Sequence, residues 1–116
     1  YNYDDFPYVR VNFNKTIENS EDFDKFLAGW IELYHQKKKF IFIFDTTNVG
    51  FVNPKYCIKM AMFIHNLKQR EIQYLQQSFI IVSSKIVERL LELIFFLQKP
   101  VAPVYIINNP HSYSPE

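Results

Sequence analysis

The chain has 116 residues, of which 48% are hydrophobic and 18% aromatic, and its formal net charge is +1. This composition excludes an intrinsically disordered chain, and the balanced charge predicts no non-specific attraction to nucleic acid or to an acidic membrane. The chain has only two glycines, which excludes the glycine-rich phosphate-binding loops of nucleotide-binding folds. No apolar stretch approaches the roughly 18 residues that a membrane span needs. The single cysteine, Cys57, cannot form an internal disulfide and favours a reducing, cytoplasmic compartment.

Strand and helix patterns alternate along the first half of the chain. Residues 8–13 alternate with a period of two, which predicts a first strand. Ser20 is a good N-cap, and the acidic residues and apolar stripe that follow it predict a helix closed by the lysines at 37–39. Residues 40–44 form a short continuous apolar run, which is typical of a strand covered on both faces.

The second half of the chain continues the alternation. Asn53 as N-cap and a proline in the first turn predict a second helix over about 54–67. A third strand is predicted over 78–82, and a third helix is predicted over about 85–97 with Ser84 as its N-cap. The last strand is predicted over 101–107, where a proline near its start is typical of an edge strand.

This order of elements predicts an α/β fold. Strands that alternate with helices of this length indicate right-handed crossovers, and hence a mostly parallel sheet of four to five strands with packed helices. We therefore expect a single small β-α-β-α-β-α-β domain over residues 1–107, followed by a loose C-terminal tail over 108–116.

Small polar residues gather at the carboxyl ends of the predicted strands, where open parallel sheets usually bind ligands. This rim is a candidate site for a small ligand, an anion or a lipid, as the alternative to a function in protein interaction. Its members are Asp45, Thr46, Thr47, Asn48, Ser83, Ser84 and Lys85, flanked by Asn14, Lys15, Thr16, Asn108 and Asn109. The alternative is a purely structural role, because the same residue types form turns and helix caps.

No group of residues has the spacing of a metal site or a catalytic pair. None of the three histidines has a further ligand residue at metal-binding spacing, so we expect no metal and no cofactor. Cys57 lies beside apolar neighbours and is expected to be a buried small hydrophobic residue. We therefore expect no enzymatic activity, and an enzyme that uses Asp45 or Cys57 is the alternative.

The third predicted helix is apolar almost all round. Such a helix is either deeply buried or covered by a partner. We predict an interaction surface for a protein partner, or for self-association into a homodimer, formed by Leu93, Phe95, Phe96 and Leu97.

Four segments carry a family resemblance: YVRVNF, FIFIFDTTNVGFVNPKYCIKMAMFIHNLK, SFIIVSS and PVYIINN, with a long apolar helix before the last. They resemble the STAS domain, the module of anti-sigma-factor antagonists and sulfate-transporter tails, in which a buried strand ends with an Asp and a short loop leads into a helix. The resemblance implies a protein-interaction module without chemistry of its own. Many STAS antagonists carry a phosphorylatable Ser or Thr where this chain has Asn53 and Pro54, so we expect no phosphorylation switch. The lipid-binding CRAL-TRIO fold is similar in architecture and matches the pattern less well.

Overall fold

The computed structural model describes residues 1–13, 19–50 and 52–108. In this part of the chain, four strands alternate with three helices: β1 (Tyr8–Asn12), α1 (Ser20–His35), β2 (Phe40–Asp45), α2 (Pro54–Leu67), β3 (Leu75–Val82), α3 (Lys85–Leu97) and β4 (Val104–Asn108). The strands form one sheet in the order β1-β2-β3-β4, and every neighbouring pair is parallel. The predicted α/β fold is therefore confirmed, with four strands.

The start and the end of α1 differ from the prediction. The N-cap is Asn19, whose side-chain oxygen accepts a hydrogen bond from the backbone N–H of Asp22 at 2.9 Å. The prediction that Ser20 is the N-cap is wrong, because Ser20 is already inside the helix. At the other end, α1 stops at His35, and Lys37 adopts a left-handed φ of 58° that a continuing helix does not allow.

The later boundaries follow local signals more closely. Asn53 caps α2 as predicted, and its side chain accepts from the backbone N–H of Lys55 at 3.0 Å. β3 begins at Leu75, three residues before the predicted start, and β4 begins only at Val104 and lies at the edge of the sheet. The expected tail boundary falls inside β4, which ends at Asn108, and residues 109–116 lie outside the described residues.

The helices pack on one face of the sheet. Each helix connects two neighbouring parallel strands, and such crossovers are right-handed, so a sheet in chain order keeps all its helices on the same face. Trp30 of α1 contacts Phe42 and Phe44 of β2, with ring centroids 5.0 and 6.3 Å apart. Val87 of α3 and Leu67 of α2 belong to the same buried cluster. The core therefore lies between the three helices and this helical face of the sheet.

The strand register explains which residues enter the core. Val9, Phe42, Ser78 and Val104 lie side by side across the sheet on its helical face. Phe42 is fully buried, and burying a side chain of this kind stabilises the fold by about 1.5–3 kcal/mol. The alternate residues of each strand must point to the opposite face.

That opposite face, named here the open face, is not covered by any helix that the structure describes. None of its side chains is fully buried. The prediction that β2 is covered on both faces is therefore wrong for the described residues, because the three helices all lie on the other side. The open face consists of Tyr8, Arg10, Asn12, Ile41, Ile43, Asp45, Gln77, Phe79, Ile81, Tyr105 and Ile107.

Candidate functional site

The structure brings the ends of β2 and β3 together, as the predicted rim requires. The hydroxyl and the backbone N–H of Thr46 both donate to the carbonyl oxygen of Ile81, at 2.6 and 3.0 Å. The hydroxyl of Ser83 donates to the carbonyl oxygen of Thr47 at 2.9 Å. These bonds fix the loop after β2 against the end of β3.

Several polar side chains of the rim already accept hydrogen bonds from the backbone. The Asp45 carboxylate accepts from the backbone N–H of Thr47 at 2.9 Å, which is an Asx turn. The Ser84 hydroxyl caps α3 by accepting from the backbone N–H of Val87 at 3.3 Å. Asn48 and Lys85 are exposed. The geometry thus matches the structural alternative, and ligand binding at this rim stays a prediction.

The residues that flank the predicted rim lie at the ends of β1 and β4. Asn14, Lys15, Thr16 and Asn109 lie outside the described residues. Asn108 is exposed at the end of β4.

Cys57 is a packed core residue. It is 3% exposed, and its Sγ lies 3.8 Å from the carbonyl oxygen of Leu90. Burial raises the pKa of the Cys57 thiol, which opposes formation of the nucleophilic thiolate. His65 is exposed, and its Nδ1 lies 3.3 Å from Gln98. Among the described residues, no three His, Cys, Asp or Glu side chains are grouped as metal ligands.

The predicted interaction surface on α3 divides between two environments. Phe96 is 86% exposed and Leu97 is 45% exposed, so both point away from the core. Leu93 and Phe95 are half-buried, and Phe95 lines an internal cavity. These four residues therefore do not form one continuous face, because consecutive helical positions point in different directions.

The open face is a larger surface with an apolar centre, and the sequence patterns did not predict it. Ile43, Phe79 and Tyr105 lie in one row across three strands, and the rings of Phe79 and Tyr105 stack with centroids 5.4 Å apart. Asp45, Ile81 and Ile107 form the next row. The continuous apolar runs of β2 and β3 were the available signal, but they do not tell which face the helices cover.

The sheet dimensions set the size of this surface. Four strands at a spacing of about 4.8 Å, each with five residues at a rise of about 3.3 Å, give a face of about 19 by 16 Å, or roughly 300 Å² in projection. Its apolar part is smaller than this, since Arg10, Asn12, Asp45 and Gln77 share the face. The largest apolar patch on a typical monomer is roughly 300–600 Å², so the size of the open face alone does not mark it as an interaction site.

A cavity of about 170 Å³ lies between the helices and the helical face of the sheet. Its walls come from all three helices, from β2 and β3, and from the segment that leads into β4. Sequence patterns cannot indicate such a cavity, since its volume depends on how the helices settle on the sheet.

None of the helices that the structure describes has the length and apolar character needed to cross a membrane.

Comparison of the chain with protein-family models, with curated proteins and with solved structures finds no match in any of the three.

Proposed function

We propose that this chain is a non-catalytic protein-interaction module, similar to a STAS domain in the order of its elements, which binds a protein partner against the open face. One observation carries the proposal: within residues 1–13, 19–50 and 52–108, the parallel sheet has helices on one face only, while the centre of its other face is apolar. All-parallel sheets occur almost only with both faces covered. The free, buried Cys57 supports a reducing, cytoplasmic compartment for this module.

The open face has the composition of an interface. Its centre is formed by the aliphatic and aromatic side chains of β2 and β3, and its margin on the β1 side is polar, with Arg10 and Asn12. Interfaces have this arrangement of an apolar core and a polar rim. Tyr8 and Tyr105 are 45% and 49% exposed, and tyrosine is among the residue types that dominate binding energies.

The layer architecture of α/β folds favours a helical partner on the open face. A specific interface buries about 800 Å² on each partner, so the partner must also make contacts beyond the roughly 300 Å² of the open face. Helices packed on a sheet are the layer that completes α/β folds, and neighbouring helices lie about 8–10 Å apart. A width of about 19 Å therefore accommodates two helices. We assign the open face to a partner protein that contributes two amphipathic helices and further contacts at the rim.

Position-specific photo-crosslinking in the cells that make this chain tests the assignment. A photoreactive amino acid replaces Tyr105 on the open face, and a second chain carries it at Met62 on α2, which is 61% exposed and lies outside the open face. We expect a discrete adduct with another protein from position 105 and none from position 62. The captured protein is then purified and its dissociation constant measured by titration calorimetry.

Charge substitutions complete the test. Phe79→Glu places a charge in the centre of the open face and should raise the dissociation constant at least about 30-fold, the effect of a hot spot worth 2 kcal/mol. Met62→Glu is the matched control and should leave it unchanged. Equal adducts at both positions, an adduct between two copies of this chain, or an affinity insensitive to Phe79→Glu would each overturn the proposal.

A further inference from the structure

We propose that the cavity between the helices and the sheet binds a small neutral ligand, mostly hydrocarbon, that carries one carbonyl oxygen. This site is separate from the open face, because the two lie on opposite sides of the sheet. It is also separate from the predicted rim, of which only Thr46 lines the cavity.

The walls of the cavity exclude charge. They are formed almost wholly by aliphatic and aromatic side chains, and no Asp, Glu, Lys or Arg is among them. An ionised ligand would have to give up its hydration without a compensating charge. The ligand that fits this lining is therefore uncharged and apolar over most of its surface.

One polar group in the walls indicates that the ligand is not a pure hydrocarbon. Ser78 lines the cavity from the middle of β3 and is 4% exposed, and its hydroxyl makes no hydrogen bond within the described residues. Buried polar groups are normally hydrogen-bonded. A hydroxyl can donate, so an acceptor such as a carbonyl oxygen is complementary to it. Trp30 also lines the cavity, but its unpartnered indole N–H is enclosed by the protein and does not face the ligand.

The volume and the shape of the cavity limit the size of the ligand. A volume of about 170 Å³ slightly exceeds the engineered cavity of about 150 Å³ that holds benzene. The lining extends from Phe44 on β2 to Val104 on β4, which is two strand spacings or about 10 Å. This elongated form suits a short chain better than a fused ring system.

The wall made by α3 and the segment before β4 offers the route into the cavity. Ile94, Phe95, Pro100 and Val101 line the cavity and are all half-buried. Trp30, which lines the cavity on the α1 side, is buried. A ligand that enters beside α3 therefore leaves the sheet intact.

A ligand titration of the purified chain tests the proposal, with 2-heptanone as the probe and heptane as the matched compound without oxygen. Trp30 is the only tryptophan, so its indole N–H gives a single NMR signal from the cavity wall. We expect 2-heptanone to shift this signal saturably, with half-saturation at or below about 1 mM, as small ligands of this size can achieve. Heptane should bind more weakly.

Three variants locate the site. Ser78→Ala should weaken 2-heptanone binding about five- to tenfold, the loss of one hydrogen bond, while Ser83→Ala removes a hydroxyl outside the cavity and should change nothing. Ala102→Leu adds three carbon atoms at the cavity wall and should abolish binding. The proposal is overturned if the Trp30 signal of the unsubstituted chain does not move, if heptane binds as tightly as 2-heptanone, or if a folded Ala102→Leu variant binds as well as the parent. The titration of the unsubstituted chain decides the matter even if a variant fails to fold.

Discussion

Two neighbouring isoleucines in β3 provide a direct test of the one-sided architecture. Ile80 points into the core and is 5% exposed, whereas Ile81 lies on the open face and is half-buried. Replacing either by Thr keeps a β-branched side chain suited to a strand, so the strand propensity changes little. Ile80→Thr removes apolar groups worth roughly 1.6 kcal/mol, at about 0.8 kcal/mol for each buried carbon group. It also buries a hydroxyl at a cost of about 1–3 kcal/mol, for a total of roughly 3–4 kcal/mol.

The same change at Ile81 should cost only about 1 kcal/mol, since this side chain is not fully buried and the new hydroxyl can be hydrated. Chemical denaturation of the isolated chain measures both values, with an unchanged denaturant slope as the control for two-state unfolding. A loss of 3–4 kcal/mol at both positions would refute the reasoning, because it would show that the open face is covered in the isolated chain. A loss below about 1 kcal/mol at both would refute the packing of the helices on the other face.

Three further predictions concern caps, the rim and ionisation. Asn19→Ala should destabilise the chain by about 1 kcal/mol through loss of the α1 cap, and Ser20→Ala should have less effect, as measured by denaturation midpoints. Thr46→Val should cost about 1 kcal/mol in the same assay, because it removes the hydroxyl that donates to β3 at 2.6 Å. Burial raises the pKa of both Cys57 and Tyr34, so the unfolded chain ionises at a lower pH than the folded chain. Stability should therefore be constant at neutral pH and decrease as the pH rises past 9.0, the ordinary pKa of the thiol, and a stability that increases there would contradict this assignment.

Local signals in the sequence were sufficient for most of the elements. Asn53 and Ser84 were predicted as caps because a cap is decided by a side chain and a backbone N–H two or three residues further on. The same reasoning chose the wrong residue at α1, where Asn19 and Ser20 are adjacent and both suited to capping. The pattern of apolar residues cannot separate two such neighbours, since only the backbone conformation decides which side chain reaches the amide.

Features that depend on contacts between distant parts of the chain could not be predicted from the sequence. The residues of the rim were predicted to lie together, and the bonds from Thr46 to Ile81 and from Ser83 to Thr47 show that those of β2 and β3 do. The sequence could not show which of these side chains forms a turn, which connects the two strand ends and which caps a helix. Those roles follow from the hydrogen-bond partner of each side-chain oxygen. Ser78 was predicted as the first residue of a strand, and its place in a cavity wall depends on three helices that are distant in sequence.

The contrast between β1 and its neighbours bears on where the proposed partner would pack. On the open face, β1 carries Tyr8, Arg10 and Asn12, and its strict alternation of buried and exposed residues is typical of a strand with one face in water. β2 and most of β3 alternate between buried and half-buried residues instead, and they place the apolar Ile43 and Phe79 on the same face. Interfaces have an apolar core and a polar rim. If the proposed partner packs over β2 and β3, with the β1 margin at its rim, charges introduced on β1 should disturb partner binding far less than charges on β3.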